Sequence, residues 1–269
     1  MEGSEPDVTN FNLRPLYSSL DRNDEDRDRI LPHYDMTGVK TVIVFNHYKY
    51  HNKKPKTRIG THKDVKKIQT IFGDLGFDVI PYNDLPYSEI MEIINQVSQK
   101  DHTHTSCLII VILTHGGVGG QLHAYDRTYR LNEIITKLEN GHISLETVPK
   151  LIIIQACRGK SFDDGRLIEY DGEVSSPSYS MLTHINFLIM QSSVEDYTSW
   201  KGPDDGSWLI QELCEIIQEY HASLDILEMI VQTTKNIAFK KESITNEARS
   251  NRKKQTPETR FTLTKILRV

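Results

Sequence analysis

Three strongly apolar runs, at 39–46, 106–113 and 150–155, limit what this chain can fold into. The first is Val-Lys-Thr-Val-Ile-Val-Phe-Asn, the second Ser-Cys-Leu-Ile-Ile-Val-Ile-Leu, and the third has four consecutive large aliphatics, Leu151 to Ile154. Runs of this length and β-branched content read as strands buried on both faces of a sheet. The segments between them are helical. Val65, Ile68, Ile71, Phe72 and Leu75 form a stripe over 64–75, and Ile90, Ile93, Ile94 and Val97 do the same over 87–99. A short strand at 77–80 and a helix at 131–138 complete the alternation. Strand, helix, strand in this order predicts an α/β doubly wound sheet of about six strands, mostly parallel, with helices on both faces. After Gly159 the rhythm stops. Residues 160–180 are rich in Asp, Gly and Ser and read as an exposed loop of unusual length. A strand at 185–190, helices at 206–220 and 225–238, and a last strand at 261–264 follow.

Composition narrows the function. The 269 residues are 38% hydrophobic and 26% charged, with a net charge of -5, which suits a soluble globular protein and not a nucleic-acid binder. No apolar run approaches the roughly 20 residues that a membrane helix needs, so no membrane association is expected. The acidic start, Met1 to Asp7, lacks an apolar core and is not read as a secretory leader. Residues 1–35 show no periodicity and hold a dense mixed-charge run at 21–29, which reads as a solvated tail. Cys107, Cys157 and Cys214 are widely spaced and odd in number. They suggest a reducing, cytoplasmic setting, with no disulfide framework, no metal site and no cofactor. No glycine-rich phosphate loop follows the first strand, which sets aside a doubly wound nucleotide enzyme.

Cys107 and Cys214 sit inside apolar runs and read as core. Cys157 differs, because it lies just past a strand end among small and polar neighbours, Gln155, Ala156, Arg158 and Gly159. Ligands in open α/β sheets bind beyond the carboxyl ends of the strands. Of the 11 histidines, His115 alone directly follows a buried run and precedes a glycine run, Gly116-Gly117-Val118-Gly119-Gly120. Parallel pairing brings His115 and Cys157 to the same end of the sheet. His115 can then serve as general base and acid to a Cys157 nucleophile, with the N–H groups of Gly116 and Cys157 as a two-donor oxyanion hole. No acidic third member stands out.

The stretch Gln155-Ala156-Cys157-Arg158-Gly159 is the signature of the caspase family of cysteine proteases, and the chain resembles that family over about residues 34 to 269. Supporting segments are Thr57-Arg58-Ile59-Gly60-Thr61, Ser199-Trp200-Lys201, Gly206-Ser207-Trp208 and Gln255-Thr256-Pro257. The resemblance implies a cysteine endopeptidase that cuts after Asp, made as a zymogen and acting in apoptosis. By the same resemblance, Arg58, Gln155 and Lys201 would hold the substrate carboxylate, with Trp200 and Trp208 as apolar walls. Ser199 and Lys201 would pair with the substrate as an added strand. The family has Arg where this chain has Lys201, and an aromatic where it has Thr198. Arg grips a carboxylate through a rigid fork and Lys does so as a point charge, so weaker recognition of Asp is expected.

Ile168-Glu169-Tyr170-Asp171-Gly172 has the character of the family's maturation sites. Asp171 would then divide a large subunit, 36–171, from a small one, 172–269, within one folded domain behind a short prodomain, 1–35. The implied partners are protein substrates with Asp at the cut, a second copy or a related caspase as dimer partner, and inhibitor-of-apoptosis proteins. A competing reading is a catalytically weak decoy or regulatory partner of an active caspase, favoured by Lys201 and Thr198.

Overall fold

The computed structural model describes residues 31–51, 55–157, 185–193, 201–202, 206–243 and 251–269. Its centre is a six-stranded sheet in the order β10-β7-β6-β3-β1-β2. The strands are β1 (Val39–Asn46), β2 (Asp78–Asn83), β3 (Thr105–Leu113), β6 (Lys150–Gln155), β7 (Phe187–Gln191) and β10 (Glu258–Phe261). All neighbours are parallel except β7 and β10. Two hairpins stand apart from it: β4 (Gln121–His123) with β5 (Thr128–Arg130), and β8 (Lys201–Gly202) with β9 (Gly206–Ser207). The helices are α1 (Thr61–Asp74), α2 (Tyr87–Gln99), α3 (Leu131–Glu139), α4 (Trp208–Tyr220) and α5 (Ile226–Lys240).

The apolar runs are buried on both faces because alternate side chains feed two separate cores. Val42, Val44, Ile109, Val111, Leu151, Ile153, Leu188 and Met190 pack with α1, α4 and α5. Ile43, Phe45, Ile110, Ile112, Ile152, Ile154, Phe187 and Ile189 pack with α2 and α3. Three helices thus cover one face and two the other, the doubly wound α/β arrangement expected from the alternation.

Several boundaries move from their expected places. The second strand runs on through Pro81 to Asn83. It is the edge of the sheet, where a residue without an N–H costs no ladder bond on the open side. The first helix starts at Thr61 instead of 64. The last strand occupies 258–261 instead of 261–264. Thr262 still exchanges backbone hydrogen bonds with Phe187 and Asn186, and beyond it Ile266 bridges His33 and Leu267 is buried. Both small hairpins were unforeseen.

Candidate active site

The carboxyl ends of β3 and β6 build the site. Leu113 is paired with Gln155 in the parallel register, and the Thr114 N–H donates to the Gln155 carbonyl at 3.1 Å. His115 and Cys157 each lie two residues beyond that paired rung, so the register sets them side by side at the sheet's end. Cys157 is partly exposed, whereas Cys107 and Cys214 are buried. Burial pushes both of those thiols up to about 12, which keeps them protonated and inert.

Gly116 is where the two strand ends meet most closely. A Cβ built there would collide with the backbone carbonyl of Cys157 and lie 3.3 Å from the Ala156 Cβ. No other residue type fits without moving the Cys157 backbone. The turn is held by the Gly117 N–H, which donates to Gln121 at 2.8 Å, and by the His123 N–H, which donates to the His115 carbonyl at 3.0 Å.

His115 Nε2 lies 2.7 Å from the Lys56 carbonyl oxygen. A carbonyl can only accept, so Nε2 carries the hydrogen and the neutral ring keeps its lone pair on Nδ1. A backbone carbonyl therefore orients the imidazole, a task for which the sequence offered no acidic side chain. It could not have been read from residue identity, since every residue has a carbonyl.

Arg58 is buried, with only 2% of its surface exposed. Its Nη1 donates to Thr61 Oγ1 at 2.9 Å and to the His47 carbonyl at 3.3 Å. Thr61 in turn donates to Asn46 Oδ1 at 2.6 Å. Burial lowers the Arg58 pKa, and the charges of Tyr50, Asp64 and Cys157 oppose the shift. Gln155, at the last rung of β6, is buried as well.

Asp64, in the first turn of α1, is an anchor. Its Oδ1 accepts from the Ser207 N–H and from Gln211 Nε2, both at 2.8 Å. Ser207 pairs with Lys201 in the β8–β9 hairpin, so Asp64 ties that hairpin to the helix that follows Arg58. The contact leaves no room for a side chain at position 206, where φ is 80° and a Cβ would lie 2.5 Å from Asp64 Oδ1. Burial pushes the Asp64 carboxyl up, against the hydrogen bonds from Ser207 and Gln211. Trp208 opens α4 and is half-buried against the three-helix core. Ser199, Trp200 and Asp171 lie outside the described residues, and Lys201 is described for its backbone alone.

His47 is 1% exposed, and neither ring nitrogen has a hydrogen-bond partner among the described residues. Burial pushes it down to about 4, with Asp84 opposing. The unfolded chain takes up a proton at His47 near its ordinary value of 6.5, while the native chain does so only near 4. Stability is therefore fully present above pH 6.5 and declines as the pH falls, by about 1.4 kcal/mol per pH unit. In urea unfolding of Cys157→Ala protein, moving from pH 7 to pH 5 is expected to cost about 2 kcal/mol more with His47 than with His47→Gln. Equal losses in the two proteins refute the assignment. Gly116→Ala is expected to lower peptidase turnover by about a hundredfold or more, because a displacement near 1 Å at a reacting centre costs that much. Steady-state kinetics on a peptide substrate check it.

Residues 39–268 match the family model described as Caspase domain. Caspase drICE of Drosophila melanogaster is 34% identical over 234 residues, covering 84% of this chain and 68% of that protein. Caspase-7 of Gallus gallus is 31% identical over 239 residues, covering 85% of this chain and 76% of that protein. The crystal structure of caspase-1 from Spodoptera frugiperda superposes with a TM-score of 0.79 at 32% identity, covering 88% of this chain and 92% of that one. With the family model spanning most of the chain and the fold shared throughout, the protein belongs to the caspase family and is a cysteine-type endopeptidase.

Proposed function

We propose that this protein cuts other proteins after Asp, with Cys157 as nucleophile and His115 as general acid and base. The single observation carrying the reading is the register that sets His115 and Cys157 two residues past the Leu113–Gln155 rung, with Gly116 against the Cys157 carbonyl. His115 Nδ1 takes the Cys157 thiol proton, and the thiolate attacks the carbonyl carbon of the substrate Asp. The N–H groups of Gly116 and Cys157 hold the oxyanion, and His115 gives a proton to the leaving amine. A thioester remains on Cys157. Water then attacks it as His115 takes the water's proton, releasing the new carboxyl end and the thiol.

Selectivity for Asp is assigned to Arg58, Gln155 and Lys201. Arg58 is a cation already desolvated and fixed by Thr61 and His47, so little is lost in ordering it. Lys201 contributes charge without the bidentate fork, a loss of about 1.5–3 kcal/mol relative to Arg, or roughly ten- to a hundredfold in binding. That same substitution supports a second reading, a weakly active subunit that pairs with an active relative.

The protein is further proposed to be a zymogen with a short prodomain at 1–35, divided after Asp171 into large and small subunits. Its proposed setting is the cytoplasm, in programmed cell death, where inhibitor-of-apoptosis proteins would be natural regulators. Among the described residues no helix is long and apolar enough to cross a membrane, and the buried thiols Cys107 and Cys214 suit a reducing compartment. Homodimerisation is supported by β10. It is the terminal strand of the sheet, and Phe261 on it is 50% exposed. An open edge of that kind is a template for pairing with a second copy.

Expression of the wild type beside Cys157→Ala tests the proposal. The wild type is expected to be cut at Asp171 and to hydrolyse a panel of Asp-ended peptides, and Cys157→Ala to remain whole and inert. If both are equally whole and inert, the protease reading fails. Lys201→Arg is expected to lower KM for Asp-ended peptides by roughly tenfold or more; an unchanged KM removes Lys201 from the pocket.

A further inference from the structure

Lys56 orients one edge of the His115 imidazole, but the backbone of His115 and a second side of its ring rest on Tyr50. Tyr50 is 5% exposed. Its hydroxyl oxygen lies 3.1 Å from the His115 N–H, which donates to it. It also lies 3.1 Å from Thr114 Oγ1. The Thr114 hydroxyl has a single hydrogen, and at 2.6 Å it donates that hydrogen to the His123 carbonyl. The Tyr50 hydroxyl must then be the donor to Thr114. The four groups make a one-way chain, from the His115 N–H through the Tyr50 and Thr114 hydroxyls to the carbonyl of His123.

The chain is closed on its far side, because the His123 N–H returns to the His115 carbonyl at 3.0 Å. Both backbone groups of His115 are therefore fixed, one by Tyr50 and the other by the β4 strand. Burial pushes the Tyr50 phenol up, which keeps the hydroxyl protonated and able to donate. The Tyr50 ring lies 5.5 Å from the His115 ring at a tilt of 42°, with His47 at 6.0 Å and His123 at 6.1 Å. Three histidines thus surround one phenol.

We propose that Tyr50 is a positioning residue for the catalytic base. Its hydroxyl fixes the His115 backbone, and its ring limits the swing of the imidazole. The inference rests on His115 acting as the acid and base of the proposed reaction. Phenylalanine would fill the same volume but offer the His115 N–H no acceptor and Thr114 no donor. Hydrogen-bonded partners left behind in a buried site cost more than the bond itself contributes.

Tyr50→Phe, made in the wild type and in Cys157→Ala, tests this. In the active background, kcat for an Asp-ended peptide is expected to fall about tenfold with KM changed by less than about twofold, since orientation and not binding is lost. In the Cys157→Ala background, exchange of the His115 amide hydrogen is expected to speed up about tenfold, with that of Leu113 in the sheet unchanged. An unchanged kcat, a rise in KM at constant kcat, or equal acceleration at Leu113 overturns the proposal. If the wild type does not turn over Asp-ended peptides, the proposed function fails instead. The exchange measurement then decides on Tyr50 alone, and an unchanged His115 amide refutes it.

Discussion

The parallel ladder between β3 and β6 is the constraint on which the site depends. It joins residues 42 positions apart in sequence, and each rung is sealed on both sides by apolar side chains from the two cores. A slip of one residue would turn every buried side chain of β6 toward the wrong core. The register is therefore fixed by the burial of Leu151, Ile152, Ile153 and Ile154, and the meeting of His115 with Cys157 follows from it. The proposed catalytic geometry would be inherited from this hydrophobic packing, and Gly116 against the Cys157 carbonyl is where the packing reaches the proposed nucleophile.

Around this ladder lies a set of buried polar groups that tie the specificity side of the site together. Asn46, Thr61, Arg58 and the His47 carbonyl form one connected group at the end of β1. Asp64, Ser207 and Gln211 form another at the start of α4. Such groups weigh against stability unless they are satisfied. Most of these are, and the cost is carried where the substrate carboxylate is proposed to bind. Among the described residues, both ring nitrogens of His47 and the second carboxylate oxygen of Asp64 are buried without a partner. His47 is held neutral by burial, its ring against Tyr50, and it leaves the active-site floor sensitive to acid.

The doubly wound α/β class and most strand and helix positions were legible in the sequence, because periods of 2 and 3.6 are written in the apolar residues. The extents of 39–46, 87–99 and 150–155 coincide with β1, α2 and β6. What failed was local. The ends of β2 and β10 depend on edge position. The two short hairpins are too brief to carry a period. In the site, His115, Gly116 and Cys157 stood out by residue type and place, and Arg58 and Gln155 through the family resemblance. The Lys56 carbonyl, the Asp64 anchor and the Tyr50 hydroxyl did not, since each acts through contacts between distant segments. Asp64 reaches Ser207 across 143 positions, and no spacing rule connects them.

That long contact has a consequence for the loop between β6 and β7. The segments on either side of residues 158–184 are joined by the β6–β7 ladder, by the packing of α1 on α4, and by Asp64 at Ser207. A break in that loop would divide the polypeptide without dividing the molecule. It would create one new carboxylate and one new ammonium group. The two pieces would remain mutually templated, each supplying strands to the other's sheet. The described segments before and after residues 158–184 are in this sense interlocked through the sheet, the helix packing and the Asp64 contact.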